Sequence, residues 1–138
     1  MGVAMRRLAA RGITPATTGV TFALAWDLGP TDGVNGTSQA AWTASFNTFY
    51  ANCVAVGFSG RTFVNLSTYY VGTTYPAIRA AQVAVCNGTT IFQGGDGDTL
   101  IGTSVNRQVV DGEHFTDGGA ASFATLIYNA MHASGAPY

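Results

Sequence analysis

Apolar residues recur along this chain in two rhythms, and the switches between them mark out its elements. Between Gln39 and Val56, the residues Trp42, Phe46, Phe49, Tyr50 and Cys53 fall at steps of three and four. That spacing predicts a helix with one apolar face. Ser38 stands before it as an N-cap, and Gly57 ends it. Val3 to Arg11 shows the same rhythm, with Val3, Ala4, Leu8 and Ala9 near one face, Gly12 as the stop and Pro15 beyond it. Pro76 opens a further helix through Cys86, at a position where its missing N–H costs nothing. A last helix, capped by Asp117 or a neighbour, runs through Ala133.

Short apolar runs supply the strands: Thr21 to Trp26, Arg61 to Leu66 and Thr89 to Gln93. TFALAW is nearly unbroken, as in a strand buried on both faces of a parallel sheet. Leu28 to Gly36, Ser67 to Tyr75 and the GGDGD run from Gly94 to Asp98 read as loops, rich in Gly, Asp, Pro or Tyr. Strands alternating with helices predict βαβ units: one α/β domain over 1–138, a parallel sheet with helices on both faces. Three strands make a thin sheet, and a helix stands ahead of the first of them. The chain therefore reads as a fold entered partway, N-terminally truncated, whose exposed sheet edge offers a route to association.

Composition narrows the partners. Charged residues are 9% of the chain, against roughly 25% in ordinary soluble domains. With a net charge of −1 and no basic cluster beyond Arg6-Arg7, the concentrated positive face that nucleic acid requires is missing. No apolar run approaches the roughly 20 residues of a membrane span, and the N-terminus lacks the apolar core of a signal peptide. Cys53 and Cys86 fit no metal spacing; free thiols packed as small hydrophobes is one reading and a disulfide the other. Asp96 and Asp98 fall short of the six or more oxygens of a calcium loop and read as a turn. Sequons at Asn35, Asn65 and Asn87 are the kind that Asn/Thr-rich loops produce by chance. No cofactor is implied.

The chemistry concentrates in DGEHF, Asp111 to Phe115. An Asp and a His three apart can lie on one side of a single turn. The carboxylate then holds the imidazole while the other ring nitrogen faces a substrate. The alternative is a turn cap beside a surface histidine. Ser59 in GFSGR is the nearest thing to a nucleophile elbow, but Arg61 breaks the pattern and no strand precedes it. His132 fits the last turn of a helix, where the dipole favours a cation. Arg79 and Gln82 read as structural. Trp42, Phe46 and Phe49 belong to the core, whereas the loop tyrosines Tyr69, Tyr70 and Tyr75 are placed to contact a ligand.

Four segments in order give a resemblance. They are Trp26-Asp27-Leu28-Gly29-Pro30-Thr31-Asp32, Ile78-Arg79-Ala80-Ala81-Gln82, Gly95-Asp96-Gly97-Asp98-Thr99-Leu100 and Asp111-Gly112-Glu113-His114-Phe115. Their order and spacing resemble the sialate O-acetylesterase-like branch of the SGNH (GDSL-type) hydrolases, over about Leu8 to Tyr128. The resemblance implies a flavodoxin-like three-layer α/β/α fold and a serine esterase acting on O-acyl, chiefly O-acetyl, esters of a carbohydrate. Full-length members of that superfamily are often secreted or periplasmic. It gives His114 the role of general base and then acid, with Asp111 orienting it, while Gly29 and Thr31 serve the oxyanion. Where the branch carries Gln and Glu around its glycine, this chain has Asp27, Leu28 and Pro30. The G-D-S motif that holds the family's nucleophile has no counterpart here. A degenerate, non-catalytic module for glycan or protein binding is the second expectation.

Overall fold

The structure is a computed structural model that describes residues 2–14, 17 and 22–135, with side chains from Arg6 onward. Its elements in order are α1 (Gly2–Ala9), β1 (Ala23–Trp26), α2 (Pro30–Val34), α3 (Gln39–Ala55), β2 (Arg61–Leu66), α4 (Pro76–Ala84), β3 (Ile91–Asp96) and α5 (Asp117–Ala133). A 3-10 turn, Gly97–Thr99, follows β3. The three strands form one sheet in the order β1-β2-β3, and both pairings are parallel. The expected α/β architecture with a parallel sheet is therefore present.

Neighbouring residues of β2 point to opposite faces, as the pleat requires. Val64 joins Ile91 under Trp42 and Phe46 of α3, Ile78 and Ala81 of α4, and Val85, the C-cap of α4. Phe46 is the centre of an aromatic cluster, stacked on Trp42 at 5.6 Å and met edge-on by Trp26 at 5.6 Å. Such offset and edge-to-face pairs add to what burial alone contributes. Asn65, on the other face, accepts a hydrogen bond from Gly95 N–H at 3.0 Å, where the ladder between β2 and β3 shifts register. Its carboxamide oxygen takes the place of a ladder carbonyl at the bulge. α5 lies against this side, and a Cβ on Gly95 would press on Ile127.

Several expectations hold closely. β2 spans the predicted residues, Ser38 caps α3 by accepting from Ala41 N–H at 3.2 Å, and Gly57 leaves α3 at φ +91°. Cys53 and Cys86 are both free, the first buried, the second half-buried with its thiol donating to Gln82 O. Other expectations need correction. β1 is an edge strand, with Ala23 and Ala25 exposed, so its apolar run is not buried on both faces. The apparent loop from Leu28 to Gly36 contains α2, because Pro30 pre-sets the first helical φ and Asp32 suits the first turn.

The GGDGD run is half strand: β3 continues through Gly94, Gly95 and Asp96. Its glycines are packing residues, since a Cβ at Gly94 would collide with the Asn65 side chain. α4 ends at Ala84, two residues before the predicted Cys86. The cap of α5 is Thr116, whose hydroxyl accepts from Gly119 N–H at 3.0 Å, with Asp117 as the first helical residue. Of the sequons, Asn65 is 1% exposed on the central strand and closed to any glycan. The expectations for Val3, Ala4, Pro15 and Thr21 lie outside the described residues or side chains.

Candidate functional site

Parallel strands bring all their carboxyl ends to one edge, the usual place for a ligand in open α/β sheets. Here that edge carries Asp27 to Gly29 after β1, Ser67 to Tyr70 after β2, and Gly97 to Thr99 after β3. The α4 helix ties these loops together through two residues one turn apart. Gln82, fully buried, accepts from Ser67 N–H at 3.3 Å and donates to Ser67 O at 3.2 Å and Leu28 O at 3.0 Å. Arg79 forms a bidentate pair with Asp96 and donates to Asp98 at 3.0 Å. The hydrogen bonds that Arg79 donates to Asp96 hold its guanidinium pKa above its ordinary value, with the one to Asp98 adding to it.

Asp98 is the knot between the second and third loops. It accepts from Thr68 N–H at 2.6 Å, Thr68 Oγ1 at 2.7 Å and Tyr69 N–H at 2.8 Å. Gly29 sits close under this network, where a Cβ would overlap Ser67 O and Gln82 Nε2. Glycine is required there by space, because its φ of 174° is ordinary extended backbone.

A second hub, Arg107, is 4% exposed and holds the DGEHF segment against the same edge. Its guanidinium donates to Leu100 O at 2.8 Å, Gly97 O at 2.8 Å and Glu113 O at 2.6 Å. Phe115 covers it at 3.8 Å and Tyr69 at 4.9 Å. Burial pushes its pKa down, opposed by Asp98, Tyr69, Asp27 and Glu113. Planar stacking and a forked donor set are what arginine offers and lysine lacks. Tyr69, expected from its loop position to contact a ligand, thus spends its ring on Arg107, and Tyr70 opens the tight turn beside it.

Within the loop, Asp111 does two jobs. Oδ1 accepts from Glu113 N–H at 2.9 Å and His114 N–H at 3.0 Å, and Oδ2 meets His114 Nδ1 at 2.7 Å. The turn-cap reading and the paired-imidazole reading are therefore both true of it. The Glu113 N–H, then the His114 ring and its N–H, bring the Asp111 pKa down to about 2. Hydrogen bonding to Asp111 raises that of His114, helped by the charges of Asp111 and Glu113. The imidazole is 68% exposed.

These shifts fix a pH window. The raised His114 pKa stabilises the fold below its unfolded value near 6.5, and that contribution is lost as pH climbs through the folded pKa. The lowered Asp111 pKa stabilises the fold above its ordinary 3.8 and is lost as pH falls toward about 2. The pair is thus complete between about pH 4 and 6.5. An NMR titration of His114 should give a midpoint above 6.5, returning toward 6.5 in Asp111→Asn. An unchanged midpoint in that variant would show that the contact does not hold the ring.

The other candidate residues fall into place around this pair. Gly29 is at the same edge as His114, and Thr31 is exposed in the first turn of α2; among the described residues, neither is hydrogen-bonded to His114. Ser59 precedes β2, at the opposite end of the sheet from the DGEHF loop. Six strand residues, roughly 20 Å, separate it from that edge, so Ser59 is not the partner of His114.

Two residues of the site are not foreshadowed by the sequence. Arg107 gives no signal there, since an arginine outside any motif looks like a surface charge. Ser67 lies at the carboxyl end of β2, where its N–H and C=O are both bonded to Gln82. Much of Asp27 is open to solvent, but the loops shield its carboxyl and push its pKa up, against the lowering influence of Ser67 and the Arg107 charge. No protein-family model, curated protein or solved structure matches this chain.

Proposed function

We propose that this chain carries the acid–base half of a serine esterase site in a flavodoxin-like SGNH fold, acting on O-acyl, chiefly O-acetyl, esters of a carbohydrate. The observation that supports it is the His114–Asp111 contact of 2.7 Å, on a loop clamped to the carboxyl edge of a parallel sheet. In this reading His114 takes a proton from a serine hydroxyl and returns it to the leaving alcohol. Asp111 fixes the ring tautomer and favours the imidazolium. Gly29 offers its backbone N–H to the oxyanion, where such a donor contributes several kcal/mol, roughly 3. Thr31 lies beside it, in the first turn of α2.

The serine comes from outside the 138 residues, from a preceding segment of a longer protein or from a second chain. The outer edge of β1, with Ala23 and Ala25 exposed, is where an added strand would lie. The test is the coding sequence upstream of Met1. It should hold, in frame, a strand followed by G-D-S or G-x-S, and the longer product should hydrolyse p-nitrophenyl acetate in a His114-dependent way. An upstream region without that motif, together with a longer product inactive toward acetyl esters, would sink the reading.

A second reading is favoured by one observation. Among the described residues, His114 is hydrogen-bonded to Asp111 and to no serine, while Leu28 and Pro30 stand where the resembling family places polar groups. That reading is a non-catalytic module for glycan or protein binding. Hydrolysis by the purified 138-residue chain, lost in His114→Ala, would exclude it.

A further inference from the structure

Gln82 grips the peptide that leads into Gly29, and it does so with every polar atom of its side chain. Nε2 donates to two carbonyls, Leu28 O at 3.0 Å and Ser67 O at 3.2 Å, while Oε1 accepts from Ser67 N–H at 3.3 Å. Only one orientation of the carboxamide suits that set, since the flipped amide would turn its oxygen toward two carbonyls. The side chain is fully buried, so releasing it would leave several polar groups without partners and without water.

The consequence falls on Gly29. Leu28 C=O and Gly29 N–H belong to one trans peptide group, in which the two bonds point in opposite directions. Drawing the Leu28 carbonyl toward Gln82 therefore turns the Gly29 N–H away from α4. On the other side, Gly29 O accepts from Gly33 N–H at 3.0 Å, which fixes the next peptide as the start of α2. Glycine also lets the backbone close on the carboxamide, because a Cβ there would overlap Gln82 Nε2 and Ser67 O. Among the described residues, the Gly29 N–H so oriented meets no acceptor.

We propose that Gln82 is a positioning residue of the oxyanion site, holding the Leu28–Gly29 peptide so that its N–H is presented outward from α4. A donor fixed in advance costs no reorganisation when charge develops on the ester oxygen. The inference rests on the esterase reading above and adds to it the residue that orients the oxyanion donor.

The geometry is tested on the 138-residue chain itself by NMR. Residual dipolar couplings should orient the Leu28–Gly29 peptide with its N–H away from α4, and that N–H should exchange with water about a hundred-fold faster than Ser67 N–H. A peptide turned the other way, or a Gly29 N–H as protected as that of Ser67, overturns the inference before any variant is made. The role is tested on the longer product. Gln82→Met keeps the volume but drops all three bonds. It should lower kcat for p-nitrophenyl acetate about a hundred-fold with KM within about twofold, the mark of an interaction made in the transition state. Gln82→Asn, whose carboxamide falls one methylene short of Leu28 O, should show the same split in milder form. A purely structural Gln82 would lower Tm and leave kcat unchanged. An active longer product whose kcat is indifferent to both variants overturns the inference alone, whereas one inactive toward acetyl esters overturns it together with the esterase reading.

Discussion

Arg107→Met should lower stability by about 3 kcal/mol, because three carbonyls on two segments lose their shared donor in a buried place. For a domain of this size that is a fall in Tm of roughly 10 °C. Methionine keeps most of the volume between Phe115 and Tyr69, so the effect isolates the lost hydrogen bonds from a packing void. Arg107→Lys should recover little, since one ammonium cannot reach Leu100 O, Gly97 O and Glu113 O with a planar fork's geometry. The Asp111–His114 contact, being local, should outlast the change, while amides from 108 to 115 exchange faster. If thermal melts of both variants fell within about 2 °C of the parent, the clamp would not be structural.

In the proposed esterase, once completed with a serine, Asp111→Asn should lower kcat by about ten thousand-fold while the fold stays intact. The amide can keep a hydrogen bond to the ring but presents the wrong partner. The imidazole is then held in a tautomer that cannot accept the serine proton. The pH profile should change in a defined direction. A base works in its neutral form, so the raised His114 pKa sets the acid limb above 6.5 in the parent. Without the carboxylate that limb should shift to lower pH. A loss of less than tenfold, or a limb that does not move, would remove Asp111 from the mechanism and leave it as a turn cap.

Much of this architecture is written locally in the sequence. The three- and four-residue spacing from Trp42 to Cys53 identifies α3, and Ser38 and Gly57 bracket it because capping is decided by neighbours in the chain. The contact between Asp111 and His114 is legible for the same reason: an i,i+3 pair in one turn needs no distant partner. The features that are not legible are set by distant contacts. β3 runs through two glycines because Asn65 and Ile127 occupy the space their side chains would fill. Ala23 and Ala25 carry a strand's composition, but whether they are covered depends on what packs beside β1. Arg107 is invisible to periodicity, since its importance lies in three carbonyls that the folded chain brings around it. Asp96 and Asp98 read as a turn, yet they bind Arg79, Thr68 and Tyr69 and unite two loops.

The order of strands in the sheet repeats their order in the chain. Each new strand therefore finds its neighbour already made, and the sheet can extend in one direction as the polypeptide leaves the ribosome. Arg107 and the loop it clamps come after the last strand. The scaffold is thus available for assembly before the site is, and Asp111 and His114 are fastened to the sheet edge only after β3 has been made. A nascent chain arrested between Asp96 and Arg107 would already hold β1, β2 and β3, but not the arginine that fastens the DGEHF loop to their carboxyl edge.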